Sequence, residues 1–164
     1  MNIRTDLIRN PVFLSAGGSW FAAQVIKIIY ESIRNGFSAK RLTGGGGMPS
    51  SHSATVTGLA VSCLMSCTAA SPEFAISLFL AMVVIYDSMG VRYETGKQAK
   101  ILNAMREREI LEGREPLFDV PLDEKMGHTF PEVIVGILIG IAVALLMCLW
   151  AAPLIDGALR AAGM

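Results

Sequence analysis

Charge is scarce in this chain. Lys, Arg, Asp and Glu make up 17% of its 164 residues, against roughly 25% in an ordinary soluble domain. The charges also cancel, 14 basic against 14 acidic, so the basic footprint that a nucleic-acid partner needs is missing. There are three cysteines, Cys63, Cys67 and Cys148, all inside apolar runs; their spacing forms neither a disulfide framework nor a metal motif. Only two histidines occur, His52 and His128. These shortages exclude a disordered chain, a fibrous one and an ordinary soluble enzyme.

What is plentiful is apolar surface, with 52% of residues hydrophobic. A transmembrane helix needs about 20 largely apolar residues, and four segments approach that length. The first, 11–33, is interrupted by Gln24, Lys27 and Glu31. The second, 53–71, has no charge, the third, 74–91, holds one carboxylate, Asp87, and the fourth, 133–155, is uncharged. The expected fold is all-α: a multi-pass transmembrane helical bundle of about four spans plus an interfacial charged helix around 97–112. Residues 1–164 are expected to form a single integral membrane domain, with 93–127 a charged extramembrane connection inside it. The short link at 68–73 predicts an antiparallel hairpin of the second and third helices. No cleavage site follows the basic start, so no removable signal peptide is expected.

Cations in the loops set orientation. The first and third connections carry Arg34, Lys40 and Arg41, then Arg92, Lys97, Lys100, Arg106, Arg108, Arg114 and Lys125; the other side carries Arg4, Arg9 and Arg160. This asymmetry predicts a multi-pass protein of the cell membrane with the first and third connections in the cytoplasm.

Both histidines fall in Gly/Pro-punctuated segments at the start of an apolar run, GGMPSSH at 46–52 and GHTFPE at 127–132. An even number of crossings separates them, so they share one membrane face. The glycines ending at Gly47 suit a turn, and Ser50 or Ser51 is a natural N-cap for the helix that follows. Free N–H groups at such a helix start favour an anion; a flexible turn is the plainer reading.

Glu132 follows His128 by four residues, one helical turn. There it can hold the imidazole by its second nitrogen, or complete a capping box with Thr129. Asp87 is either a site carboxylate at membrane depth or a partner for Arg92 at the helix end. Lys27 either snorkels to the headgroups or faces the same site as His52. Gly136 and Gly140 make a GxxxG step, packing within the bundle or as a homo-oligomer contact.

The segments GGMPSSHSA at 46–54, DSMGVR at 87–92 with Gly96, Gln98 and Ala99, and GHTFPEV at 127–133 resemble the divergent branch of the type 2 phosphatidic acid phosphatase superfamily. That group is also labelled acid phosphatase/vanadium-dependent haloperoxidase-related. The resemblance runs from about Trp20 to Trp150 and implies the following roles. His128 is the nucleophile that forms a phosphohistidine, Glu132 its orienter, and His52 the general acid for the leaving oxygen. Lys27, Arg34, Arg41, Gly47, Ser50, Ser51, Asp87 and Arg92 form the substrate-phosphate-binding set. Ser51 stands where the superfamily has glycine, Glu132 where it has aspartate, and Asn35 where a proline follows the first motif. Arg92 precedes His128 by 35 intervening residues, where the superfamily has a handful.

The expected function is hydrolysis of a lipid-linked or membrane-adjacent phosphate ester, with no metal and no cofactor. The expected partners are a lipid phosphate substrate and membrane lipids. Two alternatives stand beside it: a non-catalytic phosphate-lipid binding or transport protein, and a metal site built from His52, His128, Asp87 and Glu132.

Overall fold

The computed structural model describes residues 3–35 and 46–161. Seven α-helices are seen among them: α1 (Ile3–Arg9), α2 (Pro11–Asn35), α3 (Ser51–Ser66), α4 (Pro72–Met89), α5 (Val91–Leu111), α6 (Phe130–Leu146) and α7 (Ala152–Ala161). A π-helical turn, Met147–Ala151, joins α6 to α7. Among the described residues 79% are helical and none is in a strand.

Local sequence sets the helix starts. Asn10 Oδ1 accepts from the N–H groups of Val12 and Phe13 ahead of α2. Ser50 Oγ accepts from Ser53 N–H at the start of α3, and Ser71 Oγ from Phe74 N–H at the start of α4. Proline occupies the first turn of α2, α4 and α6, where its missing N–H costs nothing.

The bundle is built around α3, which packs on α2, α4 and α6. Its buried residues are small, among them Ser53, Ala54, Gly58, Ala60 and Ser62. The facing stripe of α2 is Ser15, Ser19, Ala23 and Lys27, and that of α6 is Gly136, Gly140 and Ala144. Large apolar side chains such as Phe13, Phe21, Ile76, Phe79 and Leu138 point outward. A soluble bundle does the reverse. Without a hydrophobic drive between helices, close backbone approach through small residues holds a membrane bundle together. A Cβ on Gly136 would overlap Ser50 O and one on Gly140 would overlap Ala54 O, so the GxxxG step faces α3 of the same chain.

Three helical runs are long and apolar enough to cross a membrane: Pro11–Arg34, Pro72–Leu111 and Phe130–Ile155. The expected second span is the exception, and the count of four is therefore approximate. It ends as a helix at Ser66, because the chain already turns at 67–71. Its 16 residues rise about 24 Å, short of the roughly 30 Å hydrocarbon core. The hairpin of α3 and α4 forms as expected.

The charged helix also forms, but starts at Val91, directly after α4 and a break at Gly90. Beyond it the chain returns as a strap antiparallel to α5. Arg106 Nε and Nη2 donate to the carbonyls of Phe118 and Asp119. Asn103 Nδ2 donates to Leu122 O and Glu124 Oε1, while its Oδ1 accepts from Leu122 N–H. Gly96 then lies against the carbonyls of Glu124 and Met126. The strap thereby delivers His128 back to the foot of α5.

Candidate functional site

His128 is 2% exposed and fixed at three points. Its N–H donates to Ser88 O at 2.9 Å. The preceding Gly127 has φ +77° and lies so close to Tyr93 that any Cβ there would overlap that residue's backbone. On the ring, Nδ1 is 3.2 Å from Glu132 Oε2, whereas Nε2 is buried and has no hydrogen-bond partner among the described residues.

The same Glu132 oxygen accepts from Thr129 N–H at 3.0 Å. Capping and imidazole orientation, alternatives on sequence grounds, are both realised in one atom. The backbone of this turn is stitched to the other histidine motif, since Ser50 N–H donates to Glu132 O at 3.0 Å. Two turns far apart in sequence thus meet at the same end of the bundle.

His52, exposed in the first turn of α3, lies with its ring centroid 6.2 Å from that of His128, the planes tilted by 57°. It lies within electrostatic reach of Arg92, Lys27 and Asp87. Lys27, 5% exposed, projects from α2 toward Glu31 and Glu132; it reaches the site end and does not snorkel to the lipid face. Ser50 and Ser51 are both buried. Ser50 is the N-cap, and its hydroxyl also accepts from Ser53 Oγ at 2.9 Å.

Asp87 and Arg92 form an ion pair, Oδ2 to Nε 2.6 Å, so Arg92 stands beside His52 already engaged. Arg34 and Gly47 line an adjoining cavity of about 470 Å³, with Glu132 in its wall. There Arg34 Nη1 donates to Tyr30 Oη at 3.2 Å. Arg41 lies outside the described residues.

Several residues at this end escape a reading of the sequence. Glu31, whose carboxylate touches Gly47, is one turn from Lys27 on α2, and that i, i+4 spacing was the available signal. Tyr93, Lys125 and Ser88 gave none, because the folding back of the strap and of α4 places them. Among the described residues no group of three or more His, Cys, Asp and Glu side chains is placed to hold a metal ion. His52, His128, Asp87 and Glu132 therefore do not form the ligand set considered from sequence.

Residues 8–143 match the family model described as the Divergent PAP2 family. The chain is 32% identical over 152 residues to the uncharacterized membrane protein YuiD of Bacillus subtilis (strain 168), covering 87% of this chain and 96% of that protein. No solved structure matches it. With inverted packing, three membrane-length helices and a relative that is itself a membrane protein, this is a membrane protein, and it belongs to the divergent PAP2 family.

Proposed function

We propose that this chain is a phosphatase of the cell membrane, acting on a lipid-linked or membrane-adjacent phosphate ester from the cytoplasmic face. The supporting observation is the placement of His128: buried, tied at Nδ1 to Glu132 Oε2 at 3.2 Å, with no hydrogen bond at Nε2 among the described residues. An ionised carboxylate only accepts. The ring proton then resides on Nδ1, and Nε2 carries the lone pair. That is the tautomer of a nucleophile.

In the proposed reaction, Nε2 attacks phosphorus and the phosphorus–oxygen ester bond breaks. The leaving oxygen takes a proton from His52. Water, giving a proton to the now neutral His52, then attacks the phosphohistidine; the phosphorus–Nε2 bond breaks, inorganic phosphate leaves, and both imidazoles return to their starting forms. Lys27 at the site end of α2, together with Ser51 and the N–H groups opening α3, supplies positive potential for the phosphoryl oxygens. Glu132 stabilises the charge that develops on His128. No step requires a metal or cofactor.

One observation favours a second reading, binding or transport of a phosphate lipid without turnover: Arg92 is already committed to Asp87. The discriminating experiment is phosphate release by detergent-purified protein from a panel of lipid phosphates and pyrophosphates, with EDTA present. Release that survives EDTA and is lost in His128→Ala is the expected result. Release that persists in folded His128→Ala overturns the assigned roles. Lipid binding without release, unchanged by His128→Ala, establishes the second reading.

A further inference from the structure

Lys27 is 5% exposed on α2, whereas Arg34, Arg92 and Lys125 are all exposed. An ammonium shielded from water needs a counter-charge close by. Among the described residues, no ion pair or side-chain hydrogen bond includes Lys27. Two carboxylates lie within its electrostatic reach instead, Glu31 and Glu132. Glu132 is already engaged, its Oε2 shared between His128 Nδ1 and Thr129 N–H. That leaves Glu31, four residues on and so on the same face of α2.

Glu31 is seated by a turn and not by another cation. Its Oε1 fills the space that a Cβ on Gly47 would take, and Lys27 packs against the same spot with its Cδ 3.9 Å away. Gly47 has φ +98°, a backbone that residues with side chains rarely adopt, and its bareness makes room for the carboxylate. The same turn runs on through Ser50, the N-cap of α3, to Ser51 and His52. Arg34 shares a cavity with Glu31 but donates to Tyr30 Oη, and Lys125 lines that cavity without an ion pair among the described residues. Glu31 thus answers the charge of Lys27 from beyond direct ion-pair distance. The ammonium donors stay uncommitted among the described residues. Arg92 shows the opposite arrangement, with its Nε taken up by Asp87 at 2.6 Å.

We propose that Glu31 is a positioning residue of the phosphate site. By its charge it holds the Lys27 ammonium at the site end of α2 and leaves the donors to the phosphoryl oxygens. Through Gly47 it fixes that ammonium against the turn that opens α3. Glu31 touches no substrate atom and acts through Lys27. This rests on the phosphatase reading for the site, but it needs phosphate binding only and not turnover.

The sign of the effect separates positioning from plain electrostatics. A carboxylate near a phosphate repels it, so removing a bare charge at Glu31 would tighten binding. A positioning Glu31 does the reverse, and only while Lys27 is present.

The test measures equilibrium binding of a short-chain phosphatidic acid phosphonate, with a methylene in place of the ester oxygen, to the full-length protein in lipid nanodiscs. Glu31→Gln keeps the shape and is expected to weaken binding about tenfold, a coupling usual for residues in contact. Glu31→Asp keeps the charge but draws it back from Gly47, for an expected loss of about threefold. Lys27→Met should lose about 10²-fold, the worth of hydrogen bonds to a charged group. Adding Glu31→Gln to Lys27→Met should then change nothing further. Thermal unfolding in the same nanodiscs checks each variant, and Glu31→Asp carries the test if Glu31→Gln does not fold.

Tighter or unchanged binding in Glu31→Gln overturns the positioning role, as does an equal loss with and without Lys27. The expected pattern of binding with no phosphate release from any ester keeps the positioning role and overturns the phosphatase reading. His128-dependent release, with phosphonate binding indifferent to Glu31, does the opposite. A wild type that does not bind the phosphonate overturns the positioning role whatever its turnover.

Discussion

Glu132 Oε2 stands 3.2 Å from His128 Nδ1 while also accepting from the Thr129 backbone. A residue that caps a helix has thereby been placed to fix a tautomer. The two duties separate on substitution. Glu132→Gln keeps an acceptor for the Thr129 N–H but removes the negative charge that stabilises an imidazolium. We expect phosphate release to fall between about 10²- and 10⁴-fold, with little change in thermal stability. Glu132→Ala loses the cap as well, at about 1 kcal/mol. Parallel rate and unfolding measurements in detergent check this; equal stability losses with no rate loss in Gln would leave Glu132 a cap only.

His52 differs from His128 in being exposed and, among the described residues, without a carboxylate partner within hydrogen-bond distance. That suits a proton donor to a departing oxygen. General acid catalysis contributes about 10²–10⁴-fold, and its worth depends on how poor the leaving group is. His52→Ala is therefore expected to lose most of its rate on an alkyl phosphate and much less on a nitrophenyl phosphate. A uniform loss across leaving groups would assign His52 to phosphate binding.

Gly127 and Gly113 share a left-handed backbone, φ +77° and +71°, but not their surroundings. A Cβ at Gly113 meets nothing within 4 Å, so Gly113→Ala carries the conformational term alone, about 1 kcal/mol. At Gly127 the Cβ would collide with the Tyr93 backbone. Gly127→Ala is expected to cost about 3 kcal/mol or more once overpacking is added, and to displace His128. Unfolding curves for the two variants, with phosphate release beside them, read both effects. Equal costs would show that the loop yields.

Asn103, 7% exposed on α5, holds the strap by three hydrogen bonds. At about 1 kcal/mol each, Asn103→Ala removes half of the six side-chain hydrogen bonds that tie the strap to α5, leaving those of Arg106 and Glu109, without touching the α3 seam. The strap should open locally while the bundle stays folded. Limited proteolysis is expected to cut within 114–125 much faster in the variant, with the main unfolding transition unmoved. A coincident fall of both would make strap and bundle one cooperative unit.

How far the sequence revealed this molecule follows from which interactions are local. The helices of 11–33 and 74–91 were legible because lipid-facing helices are apolar all round, and Ser50 and Thr129 marked the starts of α3 and α6. That His52 and His128 share one end of the bundle followed from counting crossings; their 6.2 Å approach did not. The early end of α3 was hidden, because the apolar character of 53–71 continues into residues that turn. Hidden for another reason was the strap: Asn103, Arg106 and Gly96 acquire meaning only through carbonyls 12 to 30 residues away. The status of Asp87 and Arg92 lay between. Either a site pair or an ion pair fitted their spacing, and the 2.6 Å contact joins them.

Sidedness offers the last test. Cys67, exposed, lies just past α3 at the hairpin turn, the end of the bundle opposite the histidines, whereas Cys63 is buried. If the histidines face the cytoplasm, as the ten cations of the first and third connections favour, Cys67 faces outward. A membrane-impermeant maleimide applied to intact cells should then label the protein, and Cys67→Ser should abolish most of that label. Protection of Cys67 in intact cells, with labelling only after permeabilisation, would place the histidines on the outer face. The proposed chemistry would be unchanged, but its lipid would come from the other leaflet.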